Sequence, residues 1–419
     1  MDNVKEIKLF PKGVIHIPPS KSVAHRAVIC AALANGQSRI ENIAFSEDIR
    51  ATIDCMSNLG AEIVSHEDAL DIRGGPLSAR TDTLDCGESG SALRFLIPIA
   101  GLLDRPISFT GRGRLMERPV GPYTDALQKN GAALTSQNGL LTVRGPLKAG
   151  TFALPGDVSS QFVTGLLLAL PLLNEESRIV LTSPLQSAPY VDITIDVMKS
   201  FGVEIINEDY KQFIIPKGQR YTAQHFRVEG DYSQAAFFLA AAALGCGCQC
   251  AGLSPSSRQG DKRILDILGE CGAKVSVSSD GNISVKADKL TAVTVDVSDI
   301  PDLVPALAVL FTFCEGTSRI VNAGRLRLKE CDRLTAVASE LNALGANIEE
   351  APDSLTIHGV ASLKGGKVKD WNDHRIPMAM AAAAVRSSAP VFIEGYNCVA
   401  KSYPNFWNDF EKVRLEDTL

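Results

Sequence analysis

Hydrophobic and polar positions along this chain follow a pattern that repeats about every 70 residues. Five times a helix-period stretch ends at a glycine and passes into two short strands of alternating polarity. The segments read NLGAEIVSHEDALDIRG, KNGAALTSQNGLLTVRG, SFGVEIINEDYKQFIIPKG, ECGAKVSVSSDGNISVKA and ALGANIEEAPDSLTIHG. Their glycines, Gly60, Gly131, Gly202, Gly272 and Gly345, are spaced by 71, 71, 70 and 73 residues. A glycine there supplies the left-handed residue that ends a helix. The Asp, Asn and Gly positions that follow predict hairpin turns.

A second landmark keeps the same step. A short polar turn precedes a strongly apolar helix six times, at Ser20, Ser89, Ser159, Tyr232, Pro301 and Asp373. Each apolar helix is followed by a short strand, such as SRIEN, PISFTG, SRIVLTS or SRIVNAG. One repeat is therefore strand, helix, strand, helix and closing hairpin, and six repeats account for nearly the whole chain. The last repeat has a helix predicted over residues 405–413 with no hairpin after it. The opening IKLFPKGVIHIPPS predicts a strand pair with no helix before it. The simplest closure has the N-terminus completing the sixth repeat. That predicts an α/β fold of two three-repeat domains, residues 20–229 and a discontinuous domain of residues 1–19 and 230–419. A solenoid of six stacked repeats competes with this arrangement, but the incomplete ends favour closed halves.

Composition narrows the function. The chain has 419 residues, 45% hydrophobic and 21% charged, with a formal net charge of -6. That is enough chain for two or three domains with sizeable cores. A nucleic-acid binder would carry a basic footprint, which this chain lacks. The N-terminus has neither a signal-peptide nor a transit-peptide layout. The longest apolar runs, residues 162–173 and 235–244, are too short to span a bilayer. Ten cysteines without a secretory signal suggest reduced thiols in a cytoplasmic protein. Cys246, Cys248 and Cys250 alternate, which puts them on one face of a strand. With no second pair at zinc spacing elsewhere, they read as small buried residues and no metal is expected.

Candidate chemistry gathers at the starts of the apolar helices and in residues 320–333, IVNAGRLRLKECDR. The helix starts carry Lys21 and Ser22; Ser89, Gly90 and Ser91; Ser159, Ser160 and Gln161; Tyr232 and Ser233; Asp302; and Asp373, His374 and Arg375. Hydroxyls there are good caps, and a helix N-terminus also attracts phosphate or carboxylate. In the second segment Arg325, Arg327, Lys329 and Arg333 lie with Glu330 and Asp332 on a strand-to-helix turn. A solvated helix would instead pair its charges four residues apart on an outward face. A cationic site in an anionic protein is a local funnel for a small anion.

Nine segments then stand in order: PSKSVAHR (residues 19–26), CGESGSALR (86–94), MERPVGPYTDAL (116–127), GDVSSQF (156–162), APYVDIT (188–194), IPD (300–302), LRLKECDR (326–333), NDHR (372–375) and VAKSYP (399–404). On these the chain resembles, over its whole length, the 5-enolpyruvylshikimate-3-phosphate synthases, a family of enolpyruvyl transferases. The resemblance implies a two-domain inside-out α/β barrel with its active site in the interdomain cleft. It implies transfer of the carboxyvinyl group of phosphoenolpyruvate to the 5-hydroxyl of shikimate 3-phosphate, on the route to chorismate and aromatic amino acids. Neither metal nor organic cofactor is implied, and the partners are the two small-molecule substrates, acted on by a monomer away from nucleic acid and membrane.

Carried over residue by residue, the resemblance assigns shikimate 3-phosphate to Lys21, Ser22, Arg26, Ser159, Ser160, Gln161, Ser187, Asp302 and Lys329, with Tyr190 nearby. It assigns phosphoenolpyruvate to Lys21, Gly90, Arg118, Gln161, Arg333, Arg375 and Lys401. The first domain is thus the shikimate 3-phosphate side, and the second carries much of the phosphoenolpyruvate clamp. Asp302 matches the base for the 5-hydroxyl, Glu330 the acid for the methylene carbon, and Lys21 joins them as catalytic. A carboxylate and a phosphate suit bidentate arginine, and proton transfer at two atoms needs a separate acid and base. Two positions depart from the family pattern: Glu88 and Arg325 each stand where members carry Asn, and neither is assigned to the site.

Two other readings compete. A sister enzyme transfers enolpyruvyl to UDP-N-acetylglucosamine and uses a loop cysteine, whereas residues 111–122 here, GRGRLMERPVGP, contain none. A non-catalytic anion-binding repeat protein would have no need of Asp302 and Glu330 beside the cations. Phosphate release that requires both substrates separates these readings.

Overall fold

In a computed structural model, residues 3–412 are described. The chain divides into two compact bodies, Pro19–Val228, and Met1–Pro18 with Glu229–Leu419. Each has its own hydrophobic core. No helix among the described residues is long and apolar enough to cross a membrane.

Each body is built from three inner helices and three sheets. In the first body the inner helices are Lys21–Leu33, Gly90–Ala100 and Ser160–Ala169. In the second they are Tyr232–Ala243, Val304–Thr312 and Arg375–Ala383, which pack against one another pairwise. These helices are buried on nearly every side; every residue of Tyr232–Ala243 is buried. That explains why their sequences are apolar all round rather than on one stripe. The outer helices, such as Glu47–Asn58 and Arg333–Ala343, are amphipathic and bury one face.

Every repeat contributes one sheet. The strand after the inner helix is parallel to a leading strand and antiparallel to the second strand of the closing hairpin. Thr294–Asp296, Thr317–Val321, Ser354–His358 and Asn347–Ala351 form one such sheet, in that order. All five glycines that end the outer helices have positive φ, from 81° at Gly202 to 121° at Gly60.

The chain ends differ from the expected closure. Val4–Ile7 joins the sixth repeat, pairing antiparallel with Val391–Glu394. Gly13–His16 instead leads the fourth sheet, parallel to Cys248–Ala251. The two N-terminal strands are therefore not a hairpin, because each fills a different edge. The first body makes up its own leading strand from its far end, where His225–Arg227 pairs with Arg39–Glu41. The last helix runs from Phe406 to Phe410, and Val413, where it was expected to end, lies outside the described residues.

Candidate active site

The first body brings its candidate residues to the starts of its inner helices. Ser20, Ser89 and Ser159 each cap a helix, accepting from the N–H of Val23, Ala92 and Gln161. The second body is capped differently. Asp231 accepts from Gln234 N–H, a 3-10 turn at Pro301–Leu303 precedes the fifth helix, and Asp373 accepts from the Arg375 N–H at 3.0 Å.

Lys21, on the first turn of its helix, is paired with Asp48 at 2.6 Å. One turn later Arg26 is buried, and its guanidinium is held by the protein itself. Nη1 donates to the Ser22 carbonyl at 2.6 Å, Nε to Thr194 at 2.7 Å, and Nη2 to the Tyr190 carbonyl at 2.9 Å and Thr164 at 3.4 Å. Burial lowers its pKa to about 10. Arg26 thus ties half-buried Ser22 to the segment that carries Ser187 and Tyr190. Ser187 is buried and left-handed at φ 58°, immediately before the helix Ala188–Ser200. A non-glycine residue in that region signals a locally over-determined backbone.

The inner helix Ser160–Ala169 joins this cluster to a second. Thr164 meets Arg26, while Gln161 accepts from Arg94 at 2.6 Å and donates to Ser91 at 3.0 Å. Gly90 is a close-approach position: a Cβ there would lie 2.6 Å from the Arg118 guanidinium and 3.7 Å from the Gln161 side-chain oxygen Oε1. Gly90, Arg118 and Gln161 therefore share one spot. Glu88 is turned toward the loop after the next strand, where a Cβ on Gly113 would come within 2.8 Å of its carboxylate. It lines a groove of about 740 Å³ with Asp85, Arg112 and Asp54.

The second body gathers the acids and bases. Asp302 accepts from Arg333 at 2.9 Å through one oxygen and from Arg375 at 2.9 Å through the other, with Lys329 at 3.8 Å. Burial works to raise the Asp302 pKa, but Arg375, Lys329 and Arg333 outweigh it and hold the group well below the usual carboxylate range. Arg333 also binds Asp373 at 2.6 Å and Glu330 at 2.6 Å. Burial brings Lys329 down to about 8, against the pull of Asp302. Lys401 donates to the carbonyl and side-chain oxygens of Asn372, both at 2.9 Å.

The cations of residues 325–333 do not act as one cluster. Lys329 and Arg333 face Asp302. Arg327 turns to Asp332 at 2.8 Å and Glu350 at 2.7 Å, and Arg325 donates to the Ser298 carbonyl. The 3-10 turn Gly324–Leu328 splits them, since three residues per turn aim Arg325 and Arg327 to different sides.

Several participants were not among the expected residues. Arg94, which closes the CGESGSALR motif, orients Gln161. Asp48 holds Lys21 from the neighbouring outer helix. Asp261 is buried beside Ser233, and burial together with Asp302 raises its pKa to about 7. Nothing in the local pattern around QGDKR signals this.

A model of the EPSP synthase (3-phosphoshikimate 1-carboxyvinyltransferase) family matches residues 9–410. A 3-phosphoshikimate 1-carboxyvinyltransferase of Clostridium novyi (strain NT) is 50% identical, covering 99% of this chain and 98% of its own length. One from Clostridium kluyveri is 48% identical, with 96% and 95% covered. Among solved structures, an EPSP synthase from Acinetobacter baumannii superposes with a TM-score of 0.82 at 26% identity, over 97% of both chains.

Proposed function

The chain belongs to the EPSP synthase family, and on that premise we propose how its own residues carry out the transfer. The enzyme moves the carboxyvinyl group of phosphoenolpyruvate to the 5-hydroxyl of shikimate 3-phosphate and releases phosphate. The acceptor is held by Lys21, Ser22, Ser159, Ser160, Gln161 and Ser187, with Lys329 at the ring hydroxyls. Arg26, fixed by the Ser22 and Tyr190 carbonyls, holds it as well. The donor is held by Arg118, Gln161, Arg333, Arg375, Lys401 and Lys21, with Gly90 leaving room for it. Both sets come from one chain, so the reading includes a monomer.

Asp302 is the base and Glu330 the acid. One observation supports this above the rest: the Asp302 carboxylate is gripped by two guanidiniums that a substrate carboxylate or phosphate would compete for. As paired here, Asp302 is too weak a base to take a hydroxyl proton readily. A donor anion that draws Arg375 and Arg333 to itself removes the charges that depress the Asp302 pKa. Base strength is then raised only when the donor is bound, and that timing couples donor binding to deprotonation of the acceptor. Glu330, on the other side of Arg333, loses a cationic partner by the same competition; once it has taken up a proton from solvent it can pass that proton to the methylene carbon and return to the carboxylate.

The test is phosphate release. Wild-type protein should release phosphate only when both substrates are present. Asp302→Asn should still bind both substrates, the donor at least as tightly as wild type because Arg333 and Arg375 lose a competing carboxylate, and should lose roughly 10²–10⁴-fold in kcat. Turnover within threefold of wild type in that variant would remove Asp302 from the reaction.

A further inference from the structure

The turn Asp370–Asp373 carries two consecutive left-handed residues, Trp371 at φ 53° and Asn372 at φ 54°. Asp373 N–H closes it on the Asp370 carbonyl at 3.0 Å. Such a turn suits glycine, asparagine or aspartate at its centre, and a bulky tryptophan there is a genuine outlier. A conformation of this kind persists only where its surroundings impose it.

What imposes it is one outer helix, Arg333–Ala343. At its start Arg333 grips Asp373 at 2.6 Å. Two turns on, nearly buried Glu340 grips the other end. One of its oxygens accepts from the Lys369 N–H at 3.0 Å and the other from the Trp371 indole N–H at 2.6 Å. The helix therefore holds residues 369–373 at both ends. Between the two grips lies Asn372, whose carbonyl and side-chain oxygens receive the Lys401 ammonium.

We infer that Glu340 and Trp371 are positioning residues for the donor site. They hold the left-handed turn so that Asn372 fixes the Lys401 ammonium in place to meet the phosphoenolpyruvate anion. The inference rests on the donor role proposed above for Lys401. Glutamate is required at 340 because two N–H groups point at it. A glutamine offers one acceptor oxygen and would aim its own N–H₂ at the second donor. Because Lys401 would hold the donor alike in ground and transition states, loosening it raises KM and spares kcat.

The test compares Glu340→Gln and Trp371→Phe with Lys401→Gln in the full-length chain, varying each substrate in turn. The phenylalanine variant keeps an aromatic ring while removing the indole donor and part of the ring system, so it carries the test should the glutamine variant fold poorly. The expected result is a donor KM raised roughly tenfold in all three, since displacements near 1 Å can cost up to about 10²-fold. In Glu340→Gln and Trp371→Phe, acceptor KM and kcat should stay within about twofold. A raised donor KM in Lys401→Gln alone would overturn the inference and leave the proposed function standing. An unaltered donor KM in Lys401→Gln would overturn the donor assignment of Lys401, and this inference with it. Equal losses in kcat and in both KM values for the first two variants would reduce Glu340 and Trp371 to general supports of the fold and also overturn it.

Discussion

Arg333 offers five N–H donors in a fixed fork, and in this structure they are shared among Asp373, Asp302 and Glu330. The residue is nearly fully buried. Its carboxylates favour the charged guanidinium, and Arg333 in turn helps hold Asp302 below the usual carboxylate range, so an entering anion that draws Arg333 away disturbs all of these contacts together. Lys329 is the member of this group that titrates near neutrality. Its side chain is 34% exposed, and its pKa falls from 10.5 to about 8, mainly through desolvation. The folded protein then binds fewer protons here than the unfolded chain between these two values. Stability from this group therefore rises with pH across that window. Activity runs the opposite way, because the ammonium that meets the acceptor is lost above about 8. The acceptor kcat/KM is expected to decline through about pH 8 in wild type. In Lys329→Arg, which stays charged, the decline should move beyond pH 9. A pH profile identical in the two proteins would contradict the assignment.

Elements of two kinds make each repeat, and their sequences differ because their surroundings do. Inner helices have no solvent face and are apolar throughout. Outer helices have one, and can carry Asp48, Arg333 and Glu340 toward the inner-helix ends. Each outer helix must stop and turn back into its hairpin within one residue, which a positive-φ glycine permits. At Gly60 the constraint is double. Its φ is 121°, and a Cβ would sit 3.0 Å from the Ser78 N–H nitrogen and 3.1 Å from its carbonyl oxygen. Gly60→Ala is expected to cost roughly 1–3 kcal/mol, read as a lowered urea midpoint with unchanged slope. A midpoint equal to wild type would show that this turn relaxes without strain.

At the scale of the whole molecule, the N-terminal segment serves two sheets of the same body. Val4–Ile7 edges the sixth and Gly13–His16 the fourth, and Ile7 and Ile15 are buried in that body's core. Deleting residues 1–16 removes two buried isoleucines, about 3–6 kcal/mol of transfer free energy. It also leaves two sheet edges unpaired. Against a typical stability of about 5–15 kcal/mol, the second body should lose most of its margin. Both tryptophans, Trp371 and Trp407, lie in that body, so their fluorescence reports on it alone. The truncated chain should show a tryptophan unfolding midpoint far below that of the intact protein, and equal midpoints would mean that these strands contribute little.

Much of this was legible in the residues. The repeat, the six apolar helices and the hairpin glycines follow from local rules of periodicity and φ, which act within a few residues. The family follows from nine motifs in register with the repeat. Which edge each N-terminal strand fills was not legible, because pairing partners more than 200 residues apart leave no local mark. Nor was the sorting of Arg325, Arg327, Lys329 and Arg333, or the hold of Glu340 on Trp371. Those depend on where a tight turn aims each side chain and on which buried acceptor lies opposite, and only the packed chain decides that.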